Sequence, residues 1–127
     1  MTLTPSIICI ALAVYFEARN QPIEGQFAVA HVIQNRTKSP RWPDTPCKVV
    51  YQHKQFSFFS DGKSDIPLEP KAWDRAKKIA LASTLIPDTT HGATHYIATY
   101  ATASWQRQDR LVAIIGDHKF YRLQRGE

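Results

Sequence analysis

The sequence "AVYFEARNQPIEG" contains a carboxylate, Glu17, at the end of an apolar run and between aromatic and alanine neighbours. An ionised carboxylate is poorly solvated there, and burial raises the pKa of a carboxyl group. A carboxyl group that keeps its proton near neutral pH can act as a general acid. Glu17 is therefore the candidate catalytic residue. The alternative is a solvated residue at a helix end, or an ion-pair partner of Arg19 or Arg36.

The histidines are the candidate metal ligands. His91 and His95 are four residues apart, a spacing that binds zinc when both side chains share a helix face. Gly92 and the β-branched, aromatic neighbours argue against a helix here, and no glutamate adjoins the pair. We therefore expect no metal and no cofactor. His31 lies in an otherwise apolar segment and is expected to be a core histidine with satisfied hydrogen bonds.

Two long helices are expected to position Glu17. The first is predicted to run from about Pro5 to Ala18, because its apolar residues recur at helical spacing after capping residues. "NQP" then breaks the helix, since proline disfavours helix at the residue before it. The second is predicted from Ile23 to about Thr37 and is apolar nearly all round, as in a helix buried in the middle of a domain. Glu17 lies at the elbow between them.

The rest of the chain favours shorter elements. "SPRWPDTPCKVVYQ" predicts a loop and then a short helix beginning at Asp44 or Thr45, and "QFSFF" alternates like a strand. "EPKAWDRAKKIALAST" predicts a third amphipathic helix with Trp73 toward the core. "ATHYIATY" and "LVAIIGDHKFYR" predict strands, with a turn at Gly116 and Asp117. Helices in the first part of the chain and short strands in the second part indicate the α+β class.

Bulk properties limit the setting. The 127 residues suit a single domain, residues 1–127, and the net charge of +5 favours a polyanionic partner. The N-terminus lacks a basic region before its apolar run, which is too short to span a bilayer. We therefore expect synthesis in the cytoplasm and no stable membrane insertion. Cys9 and Cys47 can make at most one bridge. They are interpreted as small, buried, unbonded hydrophobic residues, and a bridge between them is the alternative.

Four blocks carry a family resemblance: "VYFEARNQPIEGQFAVAHVIQNR", "PDTPCKVVYQHKQFSF", "GATHYIA" and "IGDHKFYR". In this order they resemble the SleB/CwlJ-type cell-wall hydrolases, which include spore-cortex-lytic enzymes and phage endolysins. The resemblance implies a lysozyme-like fold that is mostly helical, with a buried central helix and a small antiparallel sheet. It also implies peptidoglycan glycan strands as substrate and Glu17 as the catalytic acid.

The acidic residues favour one type of glycan cleavage. Retaining and inverting glycosidases need two carboxylates that face the bond. Lytic transglycosylases, which the family resembles, use one glutamate and leave an anhydro sugar end. No second carboxylate has an apolar frame, and Glu24 is expected to cap the second helix. Transglycosylation is therefore favoured over a muramidase or glucosaminidase reaction. Amide cleavage between sugar and stem peptide is the other enzyme alternative, and an amidase normally needs zinc or a cysteine nucleophile.

The later blocks supply the candidate substrate-binding residues. Gln55 and Ser57 alternate on an extended segment, so they share one face. The family resemblance places this segment in the cleft and the strand with Thr94, His95 and Tyr96 beside the glutamate. Tyr96 is expected to bind the acetamido group or to stabilise developing positive charge. The alternative for Gln55 and Ser57 is a strand with a merely solvated polar face.

Trp42, between Arg41 and Pro43, is the candidate for the cleft rim, because indole rings stack on sugar faces. Members of the family usually read "EARGE" where this chain has "EARNQ". Asn20 tolerates left-handed geometry as glycine does, but Gln21 replaces a carboxylate.

A monomeric phage endolysin that reaches the cell wall from the host cytoplasm fits best, and a trimmed, exported bacterial enzyme is the second possibility. A basic nucleic-acid-binding domain is the alternative of another class. Its weakness is that the cations are scattered rather than striped, so we expect no nucleic-acid partner.

Overall fold

The computed structural model describes residues 3–52 and 66–124. Helix α1 spans Pro5–Ala18 and helix α2 spans Ile23–Thr37, as predicted. Helix α1 begins at its N-cap residue Thr4, whose hydroxyl accepts a hydrogen bond from the Ile7 amide over 3.3 Å. Proline follows at the first helical position, where its missing N–H costs nothing.

Two further helices complete the helical part. Helix α3 spans Pro46–Tyr51 and is capped by the hydroxyl of Thr45, close to the predicted start. Helix α4 spans Pro70–Ser83 and is the predicted amphipathic helix. Helix α1 packs against α2, α3 and α4. Trp73 of α4 packs edge-on against Tyr15 of α1, which confirms its predicted place beside the core.

The three described strands form one antiparallel sheet. Strand β1 spans His95–Ala98, β2 spans Leu111–Ile115 and β3 spans His118–Tyr121. Their order is β1-β3-β2, so the last strand lies between the other two. The predicted turn at Gly116 joins β2 and β3, and its φ of 57° is the left-handed conformation that glycine adopts readily. The predicted strand in "QFSFF" lies outside the described residues.

Helix α2 joins two hydrophobic cores. Ala30 and Ile33 belong to the larger core among the helices, whereas Ala28 and Val32 belong to a smaller core beneath the sheet. All four side chains are fully buried. The prediction of a buried central helix is confirmed, and so are the α+β class and the lysozyme-like arrangement.

The two cysteines correct the sequence interpretation. Cys9 of α1 and Cys47 of α3 form a disulfide, so the prediction that both are unbonded hydrophobic residues is wrong. They are 38 positions apart in the sequence, but the packing of α3 on α1 brings their Cα atoms to 5.1 Å. That distance is within the range a disulfide needs, and it depends on tertiary packing that sequence spacing does not show.

Across residues 3–52 and 66–124, the helices are all too short or too polar to cross a bilayer.

Candidate active site

Glu17 lies in the last turn of α1, and its side chain is half-buried. The elbow follows at once, because the Gln21 amide donates to the carbonyl of Ala18 over 2.9 Å and Pro22 starts the approach to α2. The carboxylate is therefore held at the junction of two buried helices.

A network on the other side of this helix end fixes its position. Arg19 donates from Nε to a carboxylate oxygen of Glu69 over 2.6 Å and lies 4.8 Å over the ring of Tyr15. The hydroxyl of Tyr15 accepts hydrogen bonds from the amides of Leu68 and Glu69. The ion pair of Arg19 is thus with Glu69. These contacts tie the end of α1 to the start of α4.

Tyr96 of β1 is the predicted site residue on which the charge of Glu17 acts. Burial raises the pKa of the Tyr96 phenol well above its usual value, and the negative charge of Glu17 raises it further. The positive charge of Arg36 acts in the opposite direction. Because the phenol keeps its proton, it remains a hydrogen-bond donor.

Arg36 is a buried cation behind β1 that the sequence interpretation considered only as a partner of Glu17. It is 6% exposed and donates from Nε to the carbonyl of Thr94 over 2.8 Å. Its guanidinium also lies 5.1 Å from the ring centroid of Trp42. Arg36 therefore holds β1 in place, and its positive charge lowers the pKa of Tyr96. No local signal in the sequence marks this role, because Thr94 is 58 positions away.

His95 belongs to a separate aromatic cluster. Its ring lies 5.5 Å from that of Trp42 and 4.8 Å from that of Trp105. Successive residues of a strand point to opposite faces, so His95 and Tyr96 lie on different faces of β1. Burial, followed by the charges of Arg36 and Arg41, lowers the pKa of His95 to about 4. The imidazole is therefore neutral at neutral pH.

The remaining predicted binding residues are Thr94, Trp42, Gln55 and Ser57. Thr94 is buried, and its hydroxyl bonds to His95 Nδ1 and to the amide of Leu123 inside the protein. Trp42 is half-buried, with the guanidinium groups of Arg36 and Arg41 each about 5 Å from its ring centroid. Gln55 and Ser57 lie outside the described residues.

His118 of β3 is a site neighbour that sequence reasoning did not single out. Its ring is 5.1 Å from that of Tyr96, on the same face of the sheet. The buried Nδ1 atom has no hydrogen-bond partner within the described part of the chain. Burial lowers the pKa of His118, and Asp117 partly opposes this. The alternation in "HKFY" would have placed His118 with Phe120 and Tyr96 once the register was known.

Gln21 closes the elbow onto the sheet. Its amide nitrogen donates to the Asp117 carboxylate over 3.2 Å, and its amide oxygen accepts from the Asp117 backbone N–H over 2.9 Å. A glutamate at this position would bring two carboxylates together. Asn20 does not use its tolerance of left-handed geometry, because His91 is the non-glycine residue with positive φ among those described.

The remaining predicted positions have simple structural roles. His31 is buried, with ring nitrogens 2.9 Å from the Thr89 hydroxyl and 3.0 Å from the Ser83 carbonyl, which confirms the core interpretation. Glu24 lies exposed in the first turn of α2. The N-cap of that helix is Pro22, which makes no side-chain capping hydrogen bond. Among residues 3–52 and 66–124, no group of three or more metal-binding side chains converges.

The fold and this carboxylate place the chain in the lysozyme-like α+β class. A model of the cell wall hydrolase family matches residues 20–121, a segment that begins three positions after Glu17. The chain belongs to the cell wall hydrolase family.

Solved structures and curated proteins agree with this assignment. The catalytic domain of the germination-specific lytic transglycosylase SleB from Bacillus anthracis is 35% identical. It superposes with a TM-score of 0.78, over 94% of this chain and 97% of that domain. The catalytic domain of Bacillus cereus SleB is 34% identical, with the same TM-score, over 92% and 89% of the two chains.

Among curated proteins, the spore cortex-lytic enzyme of Oceanobacillus iheyensis is 38% identical over 112 residues. The match covers 87% of this chain and 39% of that enzyme. The Bacillus subtilis enzyme is 34% identical, over 87% of this chain and 35% of the enzyme. The chain thus spans little more than a third of the length of these curated relatives.

Proposed function

We propose that the chain cleaves peptidoglycan glycan strands as a lytic transglycosylase, with Glu17 as its single acid and base. The observation that carries the proposal is the placement of a half-buried carboxylate at the elbow between α1 and α2, where its charge acts on the protonated phenol of Tyr96. The likeness over nearly the full length of the SleB catalytic domain supports the same activity.

The proposed reaction consumes no water. The Glu17 carboxyl group gives its proton to the glycosidic oxygen as the bond between that oxygen and the muramic C1 breaks. The C6 hydroxyl of the same sugar then attacks C1 and returns its proton to the Glu17 carboxylate. A 1,6-anhydro sugar end results. The Tyr96 phenol donates a hydrogen bond to the acetamido carbonyl next to the reacting carbon.

His95 and Trp42 are proposed as a second contact region, on the opposite face of β1 from Tyr96. His95 is neutral near pH 7, so it offers hydrogen bonds to sugar hydroxyls without adding charge. Thr94 orients the ring through the contact between its hydroxyl and His95 Nδ1. Gln55 and Ser57 remain predicted contacts from the family resemblance. The chain is proposed to act as a monomeric catalytic unit that needs no cofactor.

The site of action is proposed to be the cell wall. A disulfide persists in oxidising compartments and is rare in the cytosol, so the Cys9–Cys47 bridge favours action outside the cytosol. The phage endolysin role remains a prediction. To test it, the enzyme is delivered to the periplasm of host-type cells and lysis is measured. An inactive variant is the control.

The decisive experiment compares Glu17→Gln with Glu24→Gln. Both variants replace a carboxylate by its amide, and Glu24 is exposed in the next helix. Purified peptidoglycan is digested and its fragments are weighed. The wild type and Glu24→Gln should release fragments one water lighter than hydrolysis products, and Glu17→Gln should be slower by a factor of roughly 100 to 10,000. Reducing ends from the wild type, or unchanged cleavage by Glu17→Gln, contradict the proposal.

A further inference from the structure

A groove of about 630 Å³ opens beside the end of α1, next to the helix turn that carries Glu17. Its lining includes Arg19 of the elbow, Leu68 and Glu69, and Lys71 and Arg75 of α4. We call it the cationic groove.

The charges of this groove are unbalanced. Lys71 and Arg75 are exposed and four residues apart on α4, a spacing at which like charges repel each other. Neither makes an ion pair or a side-chain hydrogen bond in the part of the chain that the structure describes. Arg19 is paired with Glu69, so two positive charges stay available to a ligand.

The groove suits a ligand that is anionic and partly apolar. Leu68 is 74% exposed and lines the groove together with the two cations. Arginine and lysine bind carboxylates through charge-assisted hydrogen bonds, and arginine can do so with two parallel bonds. A short peptide with carboxylates and small apolar side chains fits both features.

We propose that the cationic groove binds the carboxylates of the peptide stem that the muramic sugar at Glu17 carries. This inference rests on the proposed function and adds a peptide subsite to it. Arg19 follows Glu17 by two residues, and an extended peptide gains about 3.3 to 3.6 Å per residue. A three-residue stem therefore spans roughly 10 Å. Arg19 and Asn20, which line the groove, follow Glu17 by two and three residues.

The test removes the two unpaired charges and leaves Arg19, which anchors the helix end. Lys71→Gln/Arg75→Gln is compared with Lys38→Gln/Lys48→Gln, a control that removes two exposed charges elsewhere. Each protein is assayed on glycan strands with their peptide stems and on the same strands after the stems are removed. Melting temperatures establish that both variants are folded.

The wild type should prefer stem-bearing strands, and Lys71→Gln/Arg75→Gln should reduce that preference about 10-fold through a higher KM, with kcat for stem-bearing strands retained. The control should keep the wild-type preference. A preference unchanged in Lys71→Gln/Arg75→Gln, or reduced equally in the control, overturns the inference.

A binding measurement separates this inference from the proposed function. Free tripeptide stem is titrated into Glu17→Gln protein with and without the Lys71→Gln/Arg75→Gln changes. Binding that those changes weaken about 10-fold supports the subsite even if the wild type yields reducing ends, which would contradict only the proposed reaction. No binding to Glu17→Gln protein overturns the subsite even if the wild type yields anhydro ends.

Discussion

At the scale of single residues, the site depends on one phenol between two opposite charges. Glu17 raises the pKa of Tyr96 and Arg36 lowers it, while burial of the ring is the largest effect. Tyr96 also packs against Phe120 and contacts both hydrophobic cores. A change in the packing of either core should therefore reach the phenol on which the proposed catalytic carboxylate acts.

His95 makes stability depend on pH. Its pKa is about 4 in the folded protein, below its ordinary value of 6.5, so the unfolded chain takes up the proton first. The free energy of unfolding should therefore be highest above pH 6.5 and fall as the pH drops toward 4, by up to roughly 2–3 kcal/mol. His95→Asn should flatten this slope, as seen in melting temperatures at pH 7, 5.5 and 4.

His91→Asn is the matched control for His95, because His91 is exposed and asparagine tolerates its φ of 55°. It should keep the wild-type slope. His118 also has a lowered pKa, so part of the slope remains in His95→Asn. An identical slope in His95→Asn and the wild type would show that His95 is not the group responsible.

Some of these site residues could be predicted from the sequence, and others could not. Glu17 stands out because its apolar neighbours are adjacent in the chain, and Tyr96 follows from the resemblance. Arg36 and His118 become visible only when α2 packs behind β1 and β3 pairs with β1. A residue whose role depends on a strand pairing across more than 20 positions leaves no local signal.

At the scale of elements, the elbow after α1 is locked to the β2–β3 turn by two hydrogen bonds between Gln21 and Asp117. The turn has no room for a side chain at Gly116, where an added Cβ would lie 2.8 Å from Pro22 Cδ. The helix end that carries Glu17 is thus positioned by the sheet as well as by α4.

Gln21→Glu tests this contact. The new carboxylate would face that of Asp117 and lose the donated hydrogen bond, so we expect the free energy of unfolding to fall by about 0.5–1 kcal/mol at pH 8. This loss should shrink at pH 4, where one of the two carboxyl groups takes up a proton. Melting temperatures of the variant and the wild type at both pH values measure it.

Asp117→Asn in the Gln21→Glu background supplies the control. The asparagine amide can donate to the new carboxylate, so the double variant should recover most of the stability at pH 8. If the double variant did not recover stability, the contact between these two side chains would not be the cause of the loss in Gln21→Glu.

Element bounds were predictable because their signals are local. Thr4 and Pro5 mark the start of α1, and "NQP" separates it from α2. The order of the strands was not predictable, since β3 lies between β1 and β2 through contacts that no periodicity encodes. The partner of Gln21 could not be predicted either, because Asp117 is 96 positions away in the sequence.

At the scale of the whole molecule, two cores meet along α2, and the disulfide lies in the larger one. Cys9 is buried in the helical core, whereas Cys47 is part of the short helix α3 at its edge. The bridge thus fixes α3 to the helix that ends at Glu17. The sheet, with Tyr96, is joined to this unit through α2 and not through the disulfide.

Reduction of the disulfide should therefore destabilise the molecule as a whole. Opening a loop of 38 residues costs about 4 kcal/mol in the chain-entropy description, or roughly 10–20 °C in melting temperature for a domain of this size. Melting the wild type with and without dithiothreitol measures the change. Cys9→Ala/Cys47→Ala is the control, because dithiothreitol should not alter its melting temperature. An equal melting temperature for the reduced and oxidised wild type would mean that α1 and α3 hold together without the bridge, and that packing alone fixes the base of the helix that carries Glu17.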